Sequence, residues 1–411
     1  YYRLCTDLFT AAFAQQIGEW CEKNHLEFTG HALYEDDMIT QRAAIGDAMR
    51  FYEFQQLPGI DLLTEHSDHI DTAKQCSSVA HQLDRPNRLC EVYGCTGWDF
   101  GFAGHKALGD WLQVLGINFR VQHLAWYSMR GEAKRDYPAS ISFQSSWWPH
   151  YSAVEDYFAR QRAILDPAKE VRDILVINPI ESMWGYRPNP SDKEHQDYCN
   201  RHQVDLRNML LGNHLDFDYG CEDMLPRYSS VTAPLPEEEL WDKGPRFQVG
   251  VARYSTVILP PMETIRATTL ELLEKFAAAG GAVYFLDDAP AHLDGQENAE
   301  VARRYRKAFH KTTLKGLLKA LQKGNCRIEI STDRKRLTVK SFSSADLKDD
   351  KLTVEVKFGS DSHKITFSAG AGGSLTAKLK DGATLTNPQN VPEGAEVTFT
   401  AAPDNSKGVQ R

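Results

Sequence analysis

Through residue 300 the chain alternates two apolar patterns, short runs a few residues long and longer stretches with helical spacing. The short runs Leu26–Leu33, Met49–Phe54, Leu89–Val92 and Ile117–His123 predict strands, and residues 8–23, 70–83 and 104–115 predict helices. In the last of these, Ala107, Leu108, Trp111, Leu112 and Leu115 recur at three- and four-residue steps, and Gly116 marks the stop. Strand–helix alternation of this kind implies a parallel sheet. About five strands fit before residue 150, against the eight of a closed barrel, so residues 1–168 read as a partial TIM-type (β/α) barrel.

A second alternating series follows. Asp173–Ile177 is a buried-strand run, residues 191–211 are helical, and Tyr254–Pro260 is another strand. The next helix carries Ile265, Thr269, Leu272, Leu273 and Phe276 on one face, ends at Gly280–Gly281, and returns as the strand Ala282–Leu286. This βαβ pattern predicts a flavodoxin-like, doubly wound domain over 169–295, and the lack of a G-x-G-x-x-G or P-loop pattern argues against a nucleotide.

Beyond residue 300 the pattern changes. Val301–Leu321 predicts a basic helix within a junction at 296–340. Period-two strands then appear at Leu352, Val354 and Val356, at Ile365 and Phe367, at Leu375, Ala377 and Leu379, and at Val397, Phe399 and Ala401. Residues 341–411 therefore read as a β-rich accessory module.

Composition narrows the possibilities. A chain of 411 residues, 42% hydrophobic and 25% charged, is ordinary globular protein with room for two or three domains. Its net charge of -9 leaves no electrostatic footprint for phosphates, so no nucleic-acid partner is expected. No apolar run approaches membrane-spanning length, so no membrane span is expected. The amino terminus lacks a signal pattern and reads as a start in mid-domain. The eight cysteines form no C-x-x-C pair, which predicts mostly buried free thiols rather than a zinc site or disulfide framework.

The chemistry concentrates at strand ends. Arg88-Leu-Cys-Glu-Val-Tyr-Gly94 sets Glu91 where a short strand meets a Gly- and aromatic-rich loop, and a carboxylate there with Tyr93 and Trp98 nearby suggests a sugar site. Gly30-His31, Thr64-Glu65-His66 and His123-Leu-Ala-Trp126 end other runs in polar or aromatic groups. His31, Glu65 and His123 are thus candidates for hydrogen bonding sugar hydroxyls, although His31 and His123 equally suit buried histidines that satisfy backbone groups. Trp147 and Trp148 could form a stacking platform for a pyranose, or one of them could belong to the core. Asp61, Glu65, His66, Asp68, His69 and Asp71 crowd one segment, and the His66-x-x-His69 spacing could ligate a metal, though a solvated loop explains the same residues.

Taken together, Leu26-Glu-Phe-Thr-Gly-His31, Ser78-Val-Ala-His81, Cys90-Glu91, Val121-Gln-His123, Trp147-Trp148, Tyr157-Phe-Ala-Arg160 and Asp173-Ile-Leu-Val give residues 26–290 a pattern that resembles the family 106 glycoside hydrolases, the α-L-rhamnosidases. The resemblance implies a barrel followed by a flavodoxin-like domain, with two glutamates performing inverting hydrolysis and calcium assisting. On this chain the acid falls on Glu91 and the base on Glu181, in Asn178-Pro-Ile-Glu-Ser182, with Glu65 in reserve. The tail, from Gly372 to Pro403, resembles one copy of the β repeat of bacterial surface proteins and implies an extracytoplasmic or cell-surface location. The expected function is glycoside hydrolysis of an oligosaccharide or glycoside; the alternative is a catalytically silent carbohydrate-binding or scaffold protein.

Overall fold

The computed structural model describes residues 1–322 apart from 66–67, 125, 139–140, 169, 187–189 and 236–243. Beyond these it describes 328–330, 337–339, 352–357, 363–365, 373–379, 381–386, 389–391 and 396–403. The fold is mixed α/β with parallel sheets. The first sheet holds β1 (Gly59–Leu62), β2 (Leu89–Val92) and β3 (Phe119–Gln122), in that order and all parallel. Ile60, Leu62, Cys90 and Val92 form its buried face, so alternation along β1 and β2 turns Asp61 and Glu91 to the other.

Two expected strands are not strands. Met49–Phe54 is mostly the helix Ala48–Tyr52, capped by Asp47, whose carboxylate accepts from the Met49 amide at 2.9 Å. Every residue of that helix is buried, and a short run buried on all sides carries no period to separate helix from strand. Leu26–Leu33 runs irregularly with Leu26 and Leu33 exposed. On one side of β2 the pairing strand is β1, four residues with a Gly and an Asp that carry little apolar signal. The expected helices appear as a helical run from Tyr2 to Lys23, Ile70–Gln82 and Phe102–Val114. Gly116, at φ +91°, ends the last of them: its amide donates to the Gln113 carbonyl and that of Ile117 to Leu112, the two bonds of a Schellman motif.

The second sheet comprises β4 (Ile174–Ile177), β5 (Phe217–Gly220), β6 (Thr256–Leu259), β7 (Ala282–Leu286) and β8 (His310–Thr312). Their order is β8-β7-β6-β4-β5, all parallel. β4 is buried along its whole length, as a strand covered on both faces must be. Leu175, Ile177, Val257, Leu259 and Phe285 build the core with Leu270, Leu273 and Phe276 of the helix Ala267–Ala278 and Tyr305 of Ala299–Ala308. The basic helix expected over Val301–Leu321 is interrupted by β8, which carries the sheet past residue 295. Three polar residues, His-Lys-Thr, are too few to announce a strand by alternation.

Helix Ile70–Gln82 joins the two sheets. It is buried almost throughout, and its polar side chains serve β5, the edge strand of the second sheet. The Ser78 hydroxyl accepts from the Tyr219 amide at 2.8 Å, and the Gln82 amide donates to the Tyr219 carbonyl at 2.9 Å. Lys74 reaches Asp216 at 2.7 Å, and His81 meets Asp218 at 2.5 Å. An open sheet edge is thereby closed by side chains instead of a further strand. Tyr1–Leu314 forms one compact unit, and the boundary expected near residue 168 falls inside it.

Lys315–Arg411 forms the second unit. Its described strands are antiparallel: Leu352–Lys357 and Gly373–Leu379 flank Glu396–Pro403, His363–Ile365 pairs with Gln389–Val391, and Ile328–Ile330 with Leu337–Val339. Among the described residues no helix is long and apolar enough to cross a membrane. Seven described cysteines are unpaired, five of them buried.

Candidate functional site

The loops after β1, β2 and β3 converge on one glycine. Chain reversal after β2 puts Tyr93 at φ +72°, and the Gly94 carbonyl then accepts from the Thr64 amide at 2.7 Å. A Cβ on Gly94 would stand 2.6 Å from the Leu63 side chain and 3.2 Å from the His123 ring, so only glycine lets the three loops close. Beneath them Asp61 and Glu91 lie directly opposite each other in the β1–β2 register.

His31 and His123 complete the cluster. His31 Nε2 is 3.2 Å from Glu91 Oε2 and 3.7 Å from Asp61 Oδ2, and His123 Nε2 is 3.7 Å from Glu91 Oε1. His31 comes from the irregular segment before β1. The side-chain amide of Gln55 donates to the Gly30 carbonyl at 2.9 Å, and that of Gln56 accepts from the Phe28 amide at 3.0 Å, which holds the segment in place. His31 Nδ1 is 2.8 Å from the Ala32 carbonyl, a contact that requires Nδ1 to carry a proton. A neutral His31 would then turn a lone pair toward two carboxylates. A proton on Nε2 or on one of the two carboxylates removes that repulsion. Burial, aided by the charge of Glu91 and opposed by His31, raises the pKa of Asp61 above its ordinary value.

The aromatic candidates separate into lining and support. Trp98 is 46% exposed and stacks on Trp126 at 5.3 Å between centroids. Tyr93 is fully buried: its hydroxyl donates to the His105 carbonyl at 3.2 Å and accepts from Arg120 at 2.9 Å, and burial pushes its pKa up to about 12. It supports the rim from below and cannot touch a substrate as the sequence suggested. Trp147 packs edge-on against Phe102 and His105, while Trp148 is exposed and stacks on Tyr151. Glu65 is exposed on the loop after β1. Around the rim the buried atoms Thr64 Oγ1, His123 Nδ1 and Trp126 Nε1 have no partner among the described residues, and such atoms are satisfied by ordered water or a hydroxylated ligand.

The crowded acidic segment disperses. Asp61 joins Glu91, whereas Asp71 is buried against Arg207 at 2.6 Å and the Tyr219 hydroxyl at 2.7 Å. His69 stands 4.0 Å from Asp36 and 3.9 Å from Asp68, and His66 lies outside the described residues. Among the described residues the atoms able to approach one metal are those of His31, Asp61 and Glu91, all within 4.8 Å of one another. One imidazole and two carboxylates do not fit calcium, which takes six to eight oxygen ligands.

Glu181 stands elsewhere. It follows β4 on the second sheet, where its Oε1 accepts from Arg266 Nε at 2.6 Å. The Arg266 amide donates to Glu222 at 2.8 Å, and Arg266 Nη1 to Asp223 at 2.7 Å. Asp223 also meets Arg50 and Arg227, and Glu53 meets Arg227, each at 2.7 Å. Burial raises the pKa of Glu181 against the opposing charge of Arg266; burial and then the charge of Glu181 push Glu222 up to about 8. Glu91 and Glu181, which the family 106 resemblance paired, share no partner among the described residues: Glu91 faces His31 and His123, and Glu181 faces Arg266. Sequence reasoning grouped Asp61 with the wrong neighbours; its register opposite Glu91 was the missing signal.

No family model matches the chain. A curated protein of Formosa agariphila named "Putative beta-glucuronidase" is 25% identical over 181 residues, 43% of this chain. The chain spans only 15% of that relative's length. Among solved structures, a GH42 β-galactosidase from G. stearothermophilus superimposes with a TM-score of 0.52 at 9% identity, covering 98% of this chain and 67% of that one. A β-galactosidase from Bacillus circulans sp. alkalophilus gives 0.52 at 11%, covering 97% and 67%. An exo-carrageenase GH42 from Bacteroides ovatus gives 0.50 at 10%, covering 96% and 56%. The likeness to these structures is one of fold. None of these proteins is an α-L-rhamnosidase by name, the family to which the sequence motifs pointed.

Proposed function

We propose that the rim of the first sheet hydrolyses a glycosidic bond, with β1–β3 a segment of a (β/α) barrel and Glu91 and Asp61 the reacting carboxylates. The observation that carries this reading is their shared register and shared imidazole. Two carboxylates at a strand-end rim, one with its pKa raised by burial and the other flanked by two histidines, divide the labour that glycoside cleavage requires. Asp61 protonates the leaving oxygen. Glu91 attacks the anomeric carbon, and water then releases the sugar with Asp61 taking the proton back. One oxygen of each lies within 4.8 Å of the other, closer than the gap that admits an inverting water, which favours a retaining pair. The rim's unpartnered polar atoms and Trp98 would receive the sugar. The names of the relatives make β-galactosides and β-glucuronides the first substrates to try, beside α-L-rhamnosides.

The test is hydrolysis of aryl and unactivated glycosides, with the anomer formed first read by NMR. Glu91→Gln should cost about 10² to 10⁴ in rate on every substrate, and Asp61→Asn should cost most where the leaving group is poor. A first product of inverted configuration rejects the Asp61–Glu91 pairing. Sugar binding without turnover by the parent chain favours the silent binding protein.

A further inference from the structure

The rim of the first sheet is also built to receive a cation. With its Nδ1 proton given to the Ala32 carbonyl at 2.8 Å, the neutral His31 ring turns the Nε2 lone pair on Asp61 and Glu91. An imidazole fixed by a backbone carbonyl on one nitrogen and facing carboxylates with the other is arranged as a metal-ligating histidine is. Asp61 is oriented in the same manner. Its Oδ1 accepts from the Leu63 amide at 3.1 Å, and Oδ2 is the oxygen that faces His31. Asp61 and Glu91 sit in register on paired strands, and the Gln55 amide ties down the segment that carries His31, so the three ligands are in place before an ion arrives.

Spacing and donor type select the ion. A four-coordinate zinc ion holds its nitrogen and oxygen ligands about 3.3 to 3.5 Å from one another. His31 Nε2 stands 3.2 Å from Glu91 Oε2 and 3.7 Å from Asp61 Oδ2, and the two carboxylates approach within 4.8 Å, a gap that rotation of these partly exposed side chains shortens. One imidazole and two carboxylates balance a divalent charge and leave the fourth position to water. Calcium asks for more oxygen ligands, and magnesium for a nearly ideal octahedron of oxygens. We propose that His31, Asp61 and Glu91 form a binding site for a zinc-class transition-metal ion, whose occupation reversibly blocks the rim. The bound ion takes up the lone pairs with which Asp61 would carry a proton and Glu91 would attack the sugar. The block rests on the glycosidase reading of the rim; the binding of the ion does not.

Calorimetric titration of the intact chain with zinc chloride tests the site, and cobalt, which takes the same ligands, reports their geometry through its visible absorption. One equivalent should bind with a Kd on the order of 10 µM or tighter. His31→Ala should weaken that binding about thirtyfold or more. Asp61→Asn, which keeps the side chain's shape, should act in the same direction and serves if His31→Ala fails to fold. Glycoside hydrolysis by the parent should fall by half near the Kd and return on addition of EDTA, while millimolar calcium or magnesium leaves it unchanged. Absence of saturable zinc binding up to about 100 µM, or binding that weakens less than about threefold in the folded variants, overturns the site. Hydrolysis that continues undiminished with the ion bound overturns the block. A chain that takes up zinc through these residues yet hydrolyses no glycoside in its absence upholds the site and rejects only the glycosidase reading.

Discussion

The two parallel sheets each gather carboxylates at the carboxyl ends of their strands, and the partners they choose differ. At the strand ends of the second sheet Glu181 and Asp223 are met by Arg266, Arg50 and Arg227, cations that never lose their protons. On the first sheet Asp61 and Glu91 are met by His31 and His123, imidazoles built to give or accept a proton. Strand-end carboxylates are therefore not informative by themselves. Arginine partners make a scaffold, and histidine partners leave the proton free to move.

The largest effect that would break this contrast is on stability. Arg266→Met should destabilise the fold by about 3 to 5 kcal/mol, because it strands buried carboxylates without their cation. Glu91→Gln should change stability by under about 1 kcal/mol, since Glu91 is partly exposed at the rim. Urea unfolding of both variants decides the matter, and equal losses would mean that the two rims serve the same purpose.

A smaller effect sharpens the contrast through pH. Glu222 titrates near 8 in the fold and in the ordinary carboxylate range when unfolded, so between those limits the folded chain holds the extra proton. Its contribution should fall as pH rises through that window, by at most about 1.4 kcal/mol per pH unit, and level off above it. Asp218 has the opposite sign. Burial opposes its ionisation, but Arg172 and His81 outweigh burial and hold it well below the usual range, so its contribution is present at neutral pH and lost on acidification. Glu222→Gln should flatten the alkaline limb alone; a parent chain equally stable from pH 5 to 8 would remove Glu222 from the account.

The smallest effect concerns the sugar platform. Trp98→Ala should raise KM about fivefold with kcat nearly unchanged, the loss of roughly 1 kcal/mol of stacking. An unchanged KM would transfer that role to Trp148, exposed further along the chain.

Local pattern revealed elements whose signal is local. The helix Phe102–Val114 and its Gly116 stop follow from apolar spacing and one left-handed residue. β2 with Glu91 at its end, β3 and the buried β4 were legible as short apolar runs between turns. What escaped depends on distant partners. Glu181 in Asn178-Pro-Ile-Glu-Ser182 reads like any strand-end acid until Arg266, far along the chain, is seen beside it. Asp61 acquires meaning only from its place opposite Glu91, and β1 itself is too short and too polar to declare that register.

The segment that carries His31 has a consequence for how such chains diverge. Residues 26–33 lie outside every ladder of the first sheet and are tied to it by the amides of Gln55 and Gln56. Exchange of this segment would change the base that faces Glu91 while every strand register stays as it is. Proton inventory and architecture can therefore evolve independently, and a library confined to these few residues is the shortest route to a shifted pH optimum on an unaltered scaffold.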